Sequence, residues 1–215
     1  MKGLFVTFEG TEGSGKTTQI SLLAERLRSM GYSVRTLREP GGTPIGEEIR
    51  HTLKHSPNNH AMTAEAELLL MNASRAQLVR EVIRPALAAG EIVLCDRFYD
   101  STTAYQGYGR QLDLRMVKNI IDVAVGDTRP DLTLLFIVPH EVSEARRVAR
   151  QPTLPQIFQR DRMEEADRSF FARVAEGYQA IAAAEPQRVR QFDATGEVAV
   201  TQAAIWQLVQ PLLKH

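Results

Sequence analysis

FEGTEGSGKTTQ, from Phe8 to Gln19, sets a lysine behind three glycines with an acid among them. Gly10 to Thr17 fits G-x-x-x-x-G-K-[ST], the Walker A pattern. In such a loop, backbone N–H groups wrap phosphates, the lysine neutralises outer oxygens and the last hydroxyl ligates Mg²⁺. The flanks supply the context that the pattern needs. LFVTF before it reads as a buried strand. Ile20, Leu23, Leu27 and Met30 after it are spaced as one helix face, with Gly31 as the stop. Strand, glycine loop and helix N-terminus together aim helix-end N–H groups at an anion. A glycine-rich turn with a surface lysine would leave those flanks without a purpose. Glu12 is the odd member, an acid inside a loop built for negative charge.

The 215 residues suit one α/β domain, 1–215, with room for a small inserted segment. Basic and acidic residues balance at 26 each, which argues against a general nucleic-acid or membrane-surface binder. Five of the basic residues are lysine and 21 are arginine, an excess that suits bidentate phosphate binding or reflects genome composition. Cys95 stands alone, so no intrachain disulfide forms, and a reducing cytoplasm is expected. No apolar run reaches membrane-spanning length, and a strand begins where a signal peptide would.

Outward from the loop, YSVRTL reads as a second strand that runs into the turn REPGGTP. Thr43 caps a helix with Pro44 at its first position. A long helical pattern covers Thr63 to Ala89, with Pro85 as a kink or break. EIVLCDRF is a third strand, and STTAYQGYGRQLD reads as a loop or fraying helix. LRMVKNIIDVAV is helical, DLTLLFIV a fourth strand and HEVSEARRVAR a helix. QPTLPQIFQRDRMEEAD reads as a mobile segment. A helix from about Ser169 to Ala184, the strand VRQFDA and a helix carrying Trp206 complete the chain. Alternating strands and helices predict a three-layer P-loop fold, with a five-stranded parallel sheet between helices. Ligands in such sheets sit beyond the carboxyl ends of the strands.

Three further groups bear on chemistry. Asp96 ends an apolar strand, where nucleotide-binding proteins keep a carboxylate for Mg²⁺ or its waters, and Arg97 follows it. A structural Asp–Arg pair is the alternative. Arg75 interrupts a stripe of Leu68, Met71, Leu78 and Val82; it either pairs with an unseen carboxylate or lines a pocket beside Met71. Seven arginines fall between residues 146 and 173, and Arg160 and Arg162 lie where a closing lid, about 146–168, would bring cations onto transferring phosphates. None of the five histidines sits in a nucleophile motif or in metal-ligand spacing.

FEGTEGSGKTTQ, REPGGTPIGE, ASRAQLV, DRFYDSTTAYQG, RPDLTLLFIV and DRMEE together resemble the bacterial thymidylate kinases along essentially the whole chain. That resemblance implies an ATP:dTMP phosphotransferase that is Mg²⁺-dependent, homodimeric and independent of nucleic acid and membrane. It gives Gly10, Thr11, Glu12, Gly13, Ser14, Gly15, Lys16, Thr17 and Thr18 to ATP, and Thr17 and Asp96 to Mg²⁺. Glu39 and Pro40 would border dTMP, and Arg97 would grip its phosphate. Arg75 would bond the thymine edge, Ser101 and Thr102 would lie near the base with Gln106, and Tyr105 would crowd a ribose 2′-hydroxyl. Glu12 would reach the acceptor sugar's 3′-hydroxyl. Met71 stands where the family's ring stacks on thymine, with Phe98 as the substitute aromatic.

The acceptor phosphate, with a second pKa near about 6, is already a nucleophile at neutral pH, so no catalytic histidine is required. Lys16, Mg²⁺ and the lid arginines Arg160 and Arg162 would neutralise the γ-phosphoryl while Arg97 holds the attacking oxygen. The rival readings are a kinase for another monophosphate and a non-catalytic nucleotide switch; the latter leaves DRFYDSTTAYQG unexplained.

Overall fold

Alternation along the first strand sets the layers. In β1 (Leu4–Gly10), Val6 and Phe8 turn to one face while Phe5, Thr7 and Glu9 turn to the other. The computed structural model describes residues 3–150 and 167–213. After β1 come α1 (Lys16–Ser29), β2 (Val34–Arg38), α2 (Pro44–His55) and α3 (Ala64–Leu78). A π-helical turn, Val79–Ile83, leads into α4 (Arg84–Ala88) and β3 (Ile92–Asp96). Then follow α5 (Tyr99–Thr102), a π-helical stretch Thr103–Gly109, α6 (Leu114–Val125), β4 (Leu132–Ile137) and α7 (His140–Arg150). α8 (Arg168–Ala184), β5 (Val189–Asp193) and α9 (Val198–Val209) close the described chain.

All neighbouring strands pair in parallel, in the order β2-β3-β1-β4-β5. The predicted five-stranded parallel sheet between helices is therefore what forms. Val6, Phe8, Leu94, Leu134 and Phe136 pack against Leu23 and Leu27 of α1 and Ile205 and Trp206 of α9. Phe5, Val93 and Cys95 pack on the opposite face, against Leu68 and Leu78 of α3 and Val117 and Ile121 of α6. The register sets Phe8 beside Asp96 and Gly10 beside Phe136, so the strands end together on one edge.

Two readings resolve. The long helical pattern is interrupted just ahead of Pro85, as a kink or break there requires: α3 gives way to the π-helical turn Val79–Ile83 before α4, and the proline, with no N–H to give the preceding turn, stands at the second position of α4. STTAYQGYGRQLD is mostly helix and not loop: α5 and the π-helical stretch run unbroken to Gly109. Poor local propensity is overridden by tight packing on α8. A Cβ at Gly109 would stand 2.6 Å from the Phe170 ring, and one at Gly177 of α8 would stand 2.9 Å from Tyr108.

Candidate active site

At the end of β1 the chain turns through Gly10, Gly13 and Gly15 at φ 128°, 75° and 94°, backbone that other residues adopt only with strain. Gly13 also passes so close to Ser143 that a Cβ would stand 2.4 Å from its carbonyl oxygen. Gly15 caps α1 with no side-chain bond to the helix, and the first turn carries no acid, so its N–H groups await an anion. Lys16 is buried and folds back over the loop, donating to the carbonyls of Gly10 (3.1 Å) and Thr11 (2.8 Å) and to Ser14 Oγ (3.4 Å). Burial, then repulsion from Arg97, lowers its pKa to about 8, against the opposing pull of Asp96, Glu9 and Glu12. Glu12 is exposed; its charge also bears on Tyr105, whose phenol is pushed up chiefly by burial. Thr17 Oγ1 donates to Asp96 Oδ2 at 3.2 Å. One hydroxyl and one carboxylate, both hard oxygen ligands, fit Mg²⁺, which draws its other ligands from water and phosphate.

Arg97 has φ 69°, a strained conformation for a residue with a Cβ. Its N–H bonds Phe8 O at 2.9 Å, which pins the bend that throws the side chain over the strand ends. The guanidinium meets hydroxyls: Ser101 Oγ at 3.1 Å, Tyr105 Oη at 3.4 Å and Tyr178 Oη at 3.5 Å. Among the described residues it has no carboxylate within ion-pair distance, so the alternative of an Asp96–Arg97 pair is set aside. Lys16 and Arg97 lie close enough for one cation to depress the other's pKa. A phosphate entering there would be bound by both.

Behind Arg97 lies a residue to which the sequence reading gave no role. Glu9 is fully buried and accepts from Phe98 N (2.7 Å), Ser101 N (3.3 Å), Ser101 Oγ (2.6 Å) and Tyr178 Oη (3.0 Å). Burial, with Asp100 nearby, raises its pKa to about 7. Its only signal in the sequence is an acid on the inward side of an apolar strand.

The residues expected at the acceptor lie on or beside β2, α3 and α5. Glu39 and Pro40, joined by a cis peptide, are both buried, and Gly41 N ties the turn to Ser74 of α3. Arg75 pairs with Glu39: Nε and Nη2 reach Oε2 at 2.8 and 2.6 Å, and both side chains are nearly inaccessible. Nη1 donates to Asn72 Oδ1 and Thr102 Oγ1, and Nη2 also donates to Phe98 O. Arg75 thus has in Glu39 the carboxylate partner that one of the two sequence readings called for. Thr102, expected near the base, is engaged with Arg75. Gln106 turns its amide to Glu67, which Arg110 also grips, so its bond is to the protein. Phe98 is fully buried, edge-on to Phe5 with centroids 5.0 Å apart; it belongs to the core. Met71 is half-buried on α3.

Of the seven arginines between 146 and 173, the three whose side chains are described have structural partners. Arg146 donates to the carbonyls of Ala194 and Thr195, Arg168 pairs with Glu141, and Arg173 holds Gly109 O. Arg160 and Arg162 lie outside the described residues.

A parallel sheet in this order, with a phosphate loop on its central strand and a second cation at the end of the next, defines a P-loop phosphotransferase. The chain matches the family model described as thymidylate kinase over residues 8–205. A thymidylate kinase of Synechococcus sp. is 48% identical over 210 residues, spanning 98% of this chain and 96% of the relative. One from Syntrophotalea carbinolica is 49% identical over 202 residues, spanning 94% and 93%. The crystal structure of thymidylate kinase from Ehrlichia chaffeensis is similar with a TM-score of 0.75 at 31% identity, covering 98% of this chain and 99% of that one. The chain belongs to the thymidylate kinase family.

Proposed function

We propose that this chain converts dTMP to dTDP by direct, in-line transfer of the γ-phosphoryl group of ATP, with Mg²⁺ held at Thr17 and Asp96. The observation that carries the mechanism is the pair of neighbouring cations, Lys16 and Arg97, without a carboxylate ion-pair partner among the described residues. Gly10 to Thr18 would cradle the donor phosphates through loop and helix N–H groups, and Lys16 would exchange its loop carbonyls for phosphate oxygens. Bound there, Mg²⁺ would neutralise charge across the donor phosphates. Arg97 would hold the acceptor phosphate, whose own oxygen is the nucleophile, so the chain need only position it and balance its charge. Glu12 lies on the side toward Tyr105 and suits the acceptor sugar's 3′-hydroxyl. Glu39, Pro40, Met71, Arg75, Ser101, Thr102, Tyr105 and Gln106 would form the acceptor pocket, with Arg75 and Gln106 bracing its wall. Arg160 and Arg162, in a lid of about 146–168 on a single kinase domain, would complete the neutralisation.

The exposed apolar side chains Leu69 on α3 and Met116 and Val123 on α6, two helices that pack together, suit a homodimer. Among the described residues no helix is long and apolar enough to cross a membrane. The buried free thiol of Cys95 suits a reducing cytoplasm. Transfer from ATP chiral at the γ-phosphorus tests the mechanism. Direct displacement inverts configuration at phosphorus; retention would mean a phosphoenzyme, for which the reading has no nucleophile. A coupled assay with dTMP, dUMP, AMP, GMP and CMP should show dTMP preferred.

A further inference from the structure

Glu9 is a fully buried carboxylate whose hydrogen-bond partners are all donors, and two of those donors are the hydroxyls that touch Arg97. Ser101 Oγ gives its proton to Glu9 Oε2 at 2.6 Å and takes an N–H from Arg97 at 3.1 Å. Tyr178 Oη gives its proton to the same oxygen at 3.0 Å and takes an N–H from Arg97 at 3.5 Å. A hydroxyl has one proton. The two hydroxyl oxygens also lie 3.0 Å apart; with both protons drawn toward Glu9, their lone pairs are turned toward each other and toward Arg97. If an amide NH₂ faced them from position 9 instead, the hydroxyls would accept from it, and their protons would swing toward the guanidinium. Arg97 would then lose two acceptors and meet two positive ends.

We propose that Glu9 is a positioning residue for phosphoryl transfer. Its Oε2, which accepts from both, orients the Ser101 and Tyr178 hydroxyls, and these hold the Arg97 guanidinium in place for the acceptor phosphate. The backbone is part of the same device. Glu9 Oε1 takes the N–H groups of Phe98 and Ser101, so one carboxylate anchors both the residue after the strained Arg97 and the first turn of α5. Tyr178 extends the device to α8, so β1, β3, α5 and α8 meet at one carboxylate. Neutral donors keep Glu9 off Arg97 itself, so the guanidinium keeps its charge for a ligand.

This inference rests on the reading of Arg97 as the grip on the acceptor phosphate, and the test separates the two. Affinities for dTMP and for thymidine, which lacks the phosphate, are measured by titration calorimetry on Glu9→Gln, Ser101→Ala, Tyr178→Phe and Arg97→Ala. Thermal unfolding and KM for ATP are measured on the same proteins. Glu9→Gln should weaken dTMP at least about tenfold, consistent with hydrogen bonds to a charged group, while thymidine and ATP binding hold within about twofold. The effects of Glu9→Gln and Tyr178→Phe on dTMP should be less than additive, because both act through one relay. Glu9→Asp, which keeps the charge, should recover part of the loss. Equal weakening of dTMP and thymidine in Glu9→Gln would make Glu9 merely structural, and unchanged dTMP binding in a folded Glu9→Gln would also overturn the proposal. If Arg97→Ala itself leaves dTMP binding unchanged, the underlying reading of Arg97 fails instead. If Glu9→Gln does not fold, Ser101→Ala decides: the same phosphate-selective loss supports the relay, and its absence refutes it.

Discussion

Replacing Arg75 by alanine should destabilise the protein far more than deletion of one pocket-lining side chain would. Arg75 and Glu39 have side-chain exposures of only 2% and 4%, and both contacts to Glu39 Oε2 come from Arg75. Glu39 Oε1 has no hydrogen-bond partner among the described residues. Alanine at 75 therefore strips the carboxylate of every donor and also leaves Asn72 Oδ1, Thr102 Oγ1 and Phe98 O short of one each. Breaking a buried pair from one side costs about 3–5 kcal/mol. In a domain of this size that lowers Tm by about 6–20 °C, at about 2–4 °C per kcal/mol. Adding Glu39→Gln removes the stranded charge and should return about 2 kcal/mol, since an unpaired neutral group costs less than an unpaired ion. Burial already raises the Glu39 pKa, with Arg75 opposing it. Without Arg75 the shift grows, and a raised carboxyl pKa favours folding when protonated. The deficit of Arg75→Ala should therefore widen as pH rises above the ordinary 4.5 and narrow toward acid. Chemical denaturation at several pH values measures this, with KM for dTMP and ATP determined alongside. Stability unchanged within about 1 kcal/mol, together with a raised KM for dTMP alone, would refute the reasoning. Arg75 would then be free to serve the base, as the family resemblance implies.

Lys16→Ala should lower kcat by at least about 10²–10³-fold, the scale for losing one preorganised charge-stabilising donor, with the circular dichroism spectrum unchanged because the lysine bonds only its own loop; a variant keeping a tenth of normal turnover would contradict the phosphate role. Asp96→Asn should raise the Mg²⁺ concentration for half-maximal activity by about 10- to 100-fold, and an unaltered Mg²⁺ titration would remove Asp96 from the metal site. Alanine at Arg160 and Arg162 together should reduce kcat by about 10³-fold with a smaller change in the KM for dTMP, as for cations that act in the transition state. No change in the double variant would return attention to Arg147 and Arg150.

What the sequence makes legible follows from distance along the chain. The phosphate loop is one run of residues whose glycines, lysine and threonine must stand next to each other, so its chemistry is written locally. Strand ends are nearly as plain, since a period of two carries apolar residues up to a polar edge and parallel pairing brings the edges together. Arg75 was visible as a charge on a buried stripe, but its partner was not: Glu39 precedes it by 36 residues and meets it only because the turn after β2 folds under α3. Glu9 is the harder case, because its hydroxyl partners lie 92 and 169 residues away and come from two different helices. Alternation in β1 does say that Glu9 faces inward with Phe5 and Thr7, and an inward acid at a strand end must be neutralised or held by donors. That argument flags the residue without naming its partners. The stretch after Asp96, open in the sequence between loop and fraying helix, is ambiguous for the complementary reason. Glycines that look like breakers in sequence are, at Gly109 and Gly177, the places where two helices come close enough to bring Tyr178 to Glu9.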